Sequence, residues 1–156
     1  MIILGIDPGT ATTGLGVIRG SKSKGFSCVD YTCIITKPTT PMPERVRAIF
    51  KSLEKYLRKF KPDVVAMESL FFNTNPKTAM SVSRVSGVIM LTAALRNITF
   101  VEYTPLQVKS AITGYGKAEK MQVQKMLVQL LKLKEIPKPD DAADALAIAL
   151  CAGVSL

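Results

Sequence analysis

"IILGIDPGT" (residues 2–10) opens with a short apolar run rich in β-branched residues, then breaks at Pro8-Gly9. That pattern reads as a buried strand followed by a turn, with Asp7 as the strand's last residue. "GLGVIRG" (14–20) reads as a second strand, "SKSKG" as a hairpin turn, and "FSCVDYTCIIT" (26–36) as a third strand. Three strands joined by short turns make an antiparallel meander. Downstream the pattern changes. Val46, Ile49, Phe50, Leu53, Leu57 and Phe60 follow helical spacing, and Pro62 stops that helix. "DVVAME" (63–68) is a buried strand ending on Glu68, 77–96 is a helix, and "ITFVEY" (98–103) is a fifth strand. Helices follow over about 105–112 and 118–133, and proline-rich "IPKP" leads into a last helix over 140–153. Meander, then alternating helix and strand, predicts an α/β fold with a five-stranded mixed sheet flanked by helices. The expectation is a single domain over 1–156.

Composition narrows the function. Twenty-one Lys and Arg face 12 Asp and Glu, a formal net charge of +9. Such an excess in a small chain points to a polyanionic partner, nucleic acid foremost. The sequence holds no histidine, which removes Ser-His-Asp and Cys-His catalysis and any His-bound metal. Three scattered cysteines form neither a disulfide framework nor a zinc site, and Cys28 and Cys33, an odd number apart in one strand, are expected on opposite faces. The longest apolar runs are too short to span a bilayer, and the N-terminus has no basic n-region. A cytoplasmic protein is expected.

Against this basic background, "PDDAADALAIAL" (139–150) crowds together Asp140, Asp141 and Asp144. One aspartate after a proline is a good N-cap, and acids suit a first helical turn. Three exceed what a cap needs, and their mutual repulsion opposes folding. Asp141 and Asp144 share a helix face. Asp7 and Glu68 each end a strand, and functional crevices in α/β sheets lie beyond such ends. Four facing carboxylates require a cation or protons. Oxygen-only ligands select hard ions such as Mg²⁺ or Mn²⁺, and two such ions make the arrangement that cleaves phosphodiesters. Asp7, Glu68, Asp141 and Asp144 are therefore the candidate metal-binding and catalytic residues of a nuclease, with Asp140 read as the cap.

"GIDPGTATTGLGVI", "MESLFF", "VKSAITGYGKAEKMQV" and "DAADALAIA", in that order, closely resemble the bacterial RuvC family of Holliday junction resolvases. The resemblance implies a ribonuclease H-like fold, a homodimer, and Mg²⁺-dependent symmetric nicking of four-way DNA junctions. It maps the catalytic acids onto the same four residues. It also assigns Lys109 and Lys120 to the DNA near the cleaved bond, Phe71 to stacking on junction bases, and RuvA and RuvB as partners. Two nicks need two sets of acids, hence a two-fold dimer. The helix over 77–96 is the candidate interface: it is apolar on more than one side, and Ala79, Ser83, Ser86 and Gly87 are small enough for a close partner.

Three rival readings are weaker. "DPGTATTG" is also similar to the first phosphate loop of actin-like ATPases and sugar kinases, but those need two such domains. An RNA-directed nuclease of the YqgF type usually starts with a "DxGxKRIG"-like segment, which is absent. A catalytically silent binding module is opposed by the intact set of four acids.

Overall fold

The computed structural model describes residues 1–69 and 76–156, with side chains for all of these but 76–78. Phe71 lies outside the described residues. The chain runs β1 (Ile2–Asp7), β2 (Thr12–Ser21), β3 (Gly25–Ile35), α1 (Met42–Phe60), β4 (Val64–Glu68), α2 (Pro76–Ala94), β5 (Thr99–Tyr103), α3 (Pro105–Thr113), α4 (Lys120–Leu130) and α5 (Asp140–Ser155). The sheet order is β3-β2-β1-β4-β5. β2 is antiparallel to β1 and β3, whereas β1, β4 and β5 are mutually parallel. This is the ribonuclease H-like arrangement. Among the described residues no helix is long and apolar enough to cross a membrane.

Strand alternation splits the core in two. Leu4, Ile6, Leu15, Val17, Val65 and Met67 face α1 and α2. Helix α1 contributes Ile49, Leu53 and Leu57, four residues apart, and α2 contributes Val85 and Ile89. Arg96, just after α2, forks Glu54 of α1 with bonds of 2.6 and 2.7 Å and ties the two helices together. Ile3, Ile18, Val64 and Ala66 face the other way, towards α3, α4 and α5.

Helix α5 is buried from Ala142 to Gly153, Asp144 excepted, because it lies directly on the sheet. Small residues make that approach possible. Gly5 pairs across the sheet with Gly16 on one side and Ala66 on the other. A β-carbon at Gly5 would overlap the Ala145 carbonyl oxygen, and one at Gly16 would stand 2.7 Å from the Leu146 nitrogen. At Gly14 it would overlap the Asp141 carbonyl oxygen. Gly14 and Gly16, which sequence alone suggests are turn or bulge glycines, are helix-docking residues inside β2.

Three further expectations change. The ladder between β2 and β3 has its irregularity at Val17/Ile18, which leaves Val29 unpaired between Cys28 and Asp30. That bulge reverses the alternation, so Cys28 packs into the α5-side core and Cys33 also lies on that side, beside Asp141 and Ala142. Helix α4 stops at Leu130 and begins after Glu119, which forms a capping box with Gln122. Asp140 is not a cap: Pro139 holds that position with no side-chain cap bond, and Asp140 is the first helical residue. Its carboxylate is drawn instead to Lys138, which donates a 3.0 Å hydrogen bond, and to Lys120 at 3.6 Å.

Candidate active site

Each candidate acid is delivered by a different local device. Asp7 ends β1 opposite Gly14 of β2, which in turn pairs with Cys33 of β3. This row faces the first turn of α5, where Gly14 leaves room for the Asp141 backbone. The turn after Asp7 is pinned from both sides. The Thr13 hydroxyl donates to the Gly9 carbonyl at 2.6 Å, and the Thr36 hydroxyl donates to the Thr10 carbonyl at 2.6 Å. Glu68 ends β4 in register with Tyr103 of β5. The next peptide N–H, on Ser69, donates to the Tyr103 carbonyl at 2.9 Å, holding the end of β4 against β5.

Beyond Tyr103, Thr104 and Gln107 form a capping box that starts α3 immediately. Lys109 is thereby brought to the mouth of the site. Glu68, Lys109, Lys120 and Asp144 line one cleft of about 250 Å³, floored by Val108, Val123, Ala147 and Ile148. Asp141 lines a second, wider groove with Gly9, Thr10, Thr12 and Arg45. Asp7 joins the two.

Asp7 feels the charge of all three other carboxylates. Burial, then repulsion from Asp144, Glu68 and Asp141, pushes the Asp7 carboxyl up to about 7, with Lys120 opposing. Glu68 is raised too, by burial first and by Asp144 second, with Lys109 opposing. Lys120 donates a 2.9 Å hydrogen bond to Asp144. Burial works against the Lys120 charge, but the bond to Asp144 and the charges of Asp144 and Asp140 outweigh it and raise its pKa. Cys33, at the edge of the cluster, has its thiol pushed up to about 11 by burial, then by Asp141 and Asp7.

The structure thus brings together Asp7, Glu68, Asp141, Asp144, Lys109 and Lys120. Among the described residues no three His, Cys, Asp or Glu side chains are placed to grip one ion together. The Lys120 ammonium is the positive charge on Asp144. The donor set nevertheless fits a hard divalent cation: it is all oxygen, its four carboxylates outnumber the two lysines beside them, and burial and mutual repulsion raise the Asp7 pKa. Sequence reasoning missed Cys33 and Arg45. Both reach the site through neighbours remote in the chain, so no local motif marks them.

A stability effect follows for the metal-free protein. Asp7 ionises near 3.8 when exposed and near 7 in the fold. Between those values the folded chain holds a proton that the unfolded chain has released, so stability falls as pH rises through that window. The loss is at most roughly 4 kcal/mol. Urea unfolding in chelator at pH 5 and pH 8 should show it, and Asp7→Asn should flatten the difference. Equal pH dependence in both proteins would contradict the clustered site.

The sequence profile of the family described as "Crossover junction endodeoxyribonuclease RuvC" matches residues 3–152. The chain is 50% identical over 151 residues to the protein of that name from Desulforamulus reducens, covering 97% of this chain and 92% of that one. It is 51% identical over 155 residues to the one from Ruminiclostridium cellulolyticum, covering 99% and 93%. The fold superposes on Thermus thermophilus RuvC with a TM-score of 0.89 at 37% identity, over 97% of this chain and 92% of that one. It matches T. thermophilus RuvC in complex with a Holliday junction substrate at a TM-score of 0.88 and 34% identity, with the same coverage. By sequence over nearly its whole length and by fold, the chain belongs to the RuvC family of crossover junction endodeoxyribonucleases.

Proposed function

We propose that this chain is a DNA endonuclease that resolves four-way junctions by divalent-metal-dependent hydrolysis of phosphodiester bonds. The observation that carries the reading is the acidic cluster: three elements remote in sequence bring four carboxylates near one another, and burial together with the repulsion of the other three pushes Asp7 up to about 7. Such repulsion works against folding and gives the fold nothing in return, whereas cation binding removes it.

In this reading Asp7, Glu68, Asp141 and Asp144 hold the cation, Mg²⁺ with Mn²⁺ as substitute and two per site. When bound, it supplies a Lewis acid that withdraws charge from the phosphodiester and a means of activating water at neutral pH. The protein's own groups do the rest. Lys109, beside Glu68, holds a backbone phosphate at the mouth of the cleft. Lys120 serves as counter-ion to Asp144 until that charge is neutralised otherwise, and then turns to the DNA. Phe71, three residues beyond Glu68, stacks on a junction base. Lys109→Ala, Lys120→Ala and Phe71→Ala should each lower cleavage without a large fall in melting temperature.

The test is substrate choice. With Mg²⁺, labelled four-way junctions should be nicked at paired positions on two opposing strands, and duplex, single-stranded and RNA–DNA substrates far more slowly. Equal cutting of all four would overturn junction selectivity. RuvA and RuvB are proposed as partners, to be checked by co-sedimentation on a junction.

Paired nicks call for two copies. On α2, Met80, Ser83, Gly87 and Leu91 recur at helical spacing and are all at least partly exposed, whereas Val85 and Ile89 are buried against the sheet. Gly87 has open space around it. A partner's α2 can approach that stripe closely. Sedimentation should find a dimer for the wild type and a monomer for Gly87→Arg. A monomeric wild type that still makes both nicks in one binding event would contradict this arrangement.

A further inference from the structure

Apart from Asp141, none of the residues lining the wide groove beside the acidic cluster is a candidate cation ligand. Its volume is about 600 Å³, and Gly9, Thr10, Ala11, Thr12, Pro38 and Arg45 are among its lining residues. Asp141 lines it as well, so it borders the acidic cluster, and it shares no lining residue with the cleft of Lys109 and Lys120. Arg45 is its cation. The Arg45 Nε donates a 2.8 Å hydrogen bond to the Thr36 hydroxyl, which in turn donates one of 2.6 Å to the Thr10 carbonyl. That relay fixes the guanidinium by one edge to the turn that follows Asp7. Among the described residues Arg45 has no acidic partner, so its two terminal nitrogens keep their donors unspent. The Thr10 hydroxyl, buried in the same wall, has no hydrogen-bond partner either.

A guanidinium held by Nε and free at both terminal nitrogens presents a planar fork, the geometry that matches two oxygens of a phosphate. A DNA strand whose cleaved phosphate lies at the acidic cluster must continue in both directions. Lys109 and Lys120 offer positive charge on one side only. We propose that the groove formed by residues 9–12, Pro38 and Arg45 is a second phosphate-binding subsite, which takes a backbone phosphate adjacent to the one being cut. Arg45 grips that phosphate, and the Thr36 bond keeps the grip in fixed relation to Asp7. The subsite rests on the nuclease reading and sets which way the strand passes through the site.

The test uses the full chain, a four-way junction and chelator, so that binding is read without cutting. Arg45→Gln keeps a donor for Thr36 and removes the charge, and Arg45→Lys keeps the charge. The log–log slope of affinity against salt should fall by about 1 in Arg45→Gln and stay near the wild-type value in Arg45→Lys. Neutral methylphosphonate is then placed at each phosphate within two of the nick, one at a time. One position should reproduce the lost slope on the wild type and cause no further loss on Arg45→Gln. An unchanged slope in Arg45→Gln overturns the subsite. So does a methylphosphonate series in which every loss adds fully to that of the variant. If Arg45→Gln fails to fold, the series on the wild type still decides: no slope change at any position beside the nick overturns the proposal. A wild type that binds and cuts no junction with Mg²⁺ would instead remove the nuclease reading on which it rests.

Discussion

Asp7→Asn and Glu68→Gln should each lower junction cleavage by about a thousandfold or more, with junction binding retained. Both substitutions keep side-chain shape and remove one negative charge. Removing charge from a mutually repelling cluster relieves burial and repulsion at the others, so folding is not the cause of the loss. Melting temperature in chelator should hold or rise, since Asp7 and Glu68 both ionise against burial and neighbouring carboxylates. Binding should hold or tighten for the same reason, because the DNA backbone meets less negative charge. Single-turnover cleavage beside a binding titration separates the two effects. A Glu68→Gln protein cutting at the wild-type rate would remove Glu68 from the site.

The second large effect lies away from the chemistry. Gly5→Val should destabilise the fold by about 3 kcal/mol or more, at the top of the range for overpacking. The added carbons meet the α5 backbone at Ala145 and Ala149, which cannot rotate away as a side chain end does. Gly14→Ala is the sharper version, because its single methyl meets the Asp141 carbonyl oxygen. The first turn of α5 must then lift, carrying Asp141 and Asp144 away from Asp7. Cleavage should fall in Gly14→Ala by more than its urea-unfolding stability accounts for. Wild-type rate and stability in Gly14→Ala would mean that α5 tolerates a looser fit than these contacts show.

The elements were legible because each carries its own period. Strand alternation, the i, i+4 row of Ile49, Leu53 and Leu57, and the prolines at their ends are local signals. The acids were legible for another reason: aspartates crowded into a basic chain have few structural uses. What stayed hidden depended on register or on distant partners. The bulge at Val29 moved Cys28 and Cys33 onto one face, and no residue type announces a bulge there. The docking role of Gly14 and Gly16 has no local signal because their helix partner, α5, lies more than 120 residues downstream. Asp140 looked like a cap, yet Lys120 and Lys138 stand beside it and take its charge. Arg45 is one basic residue among 21 in the sequence, and only the fold shows Thr36 and Thr10 fixing it at the site.

The most direct test is whether cation binding and cutting belong to the same four carboxylates. Mn²⁺ binding, followed by electron paramagnetic resonance, and junction cleavage should be measured over one Mn²⁺ titration in the wild type, Asp7→Asn and Asp144→Asn. The wild type should bind Mn²⁺ and cut over the same concentration range, and both variants should lose cation binding and cutting together. Full-rate cutting in chelator, or Mn²⁺ binding undiminished in both variants, would contradict a metal-dependent nuclease built on this cluster.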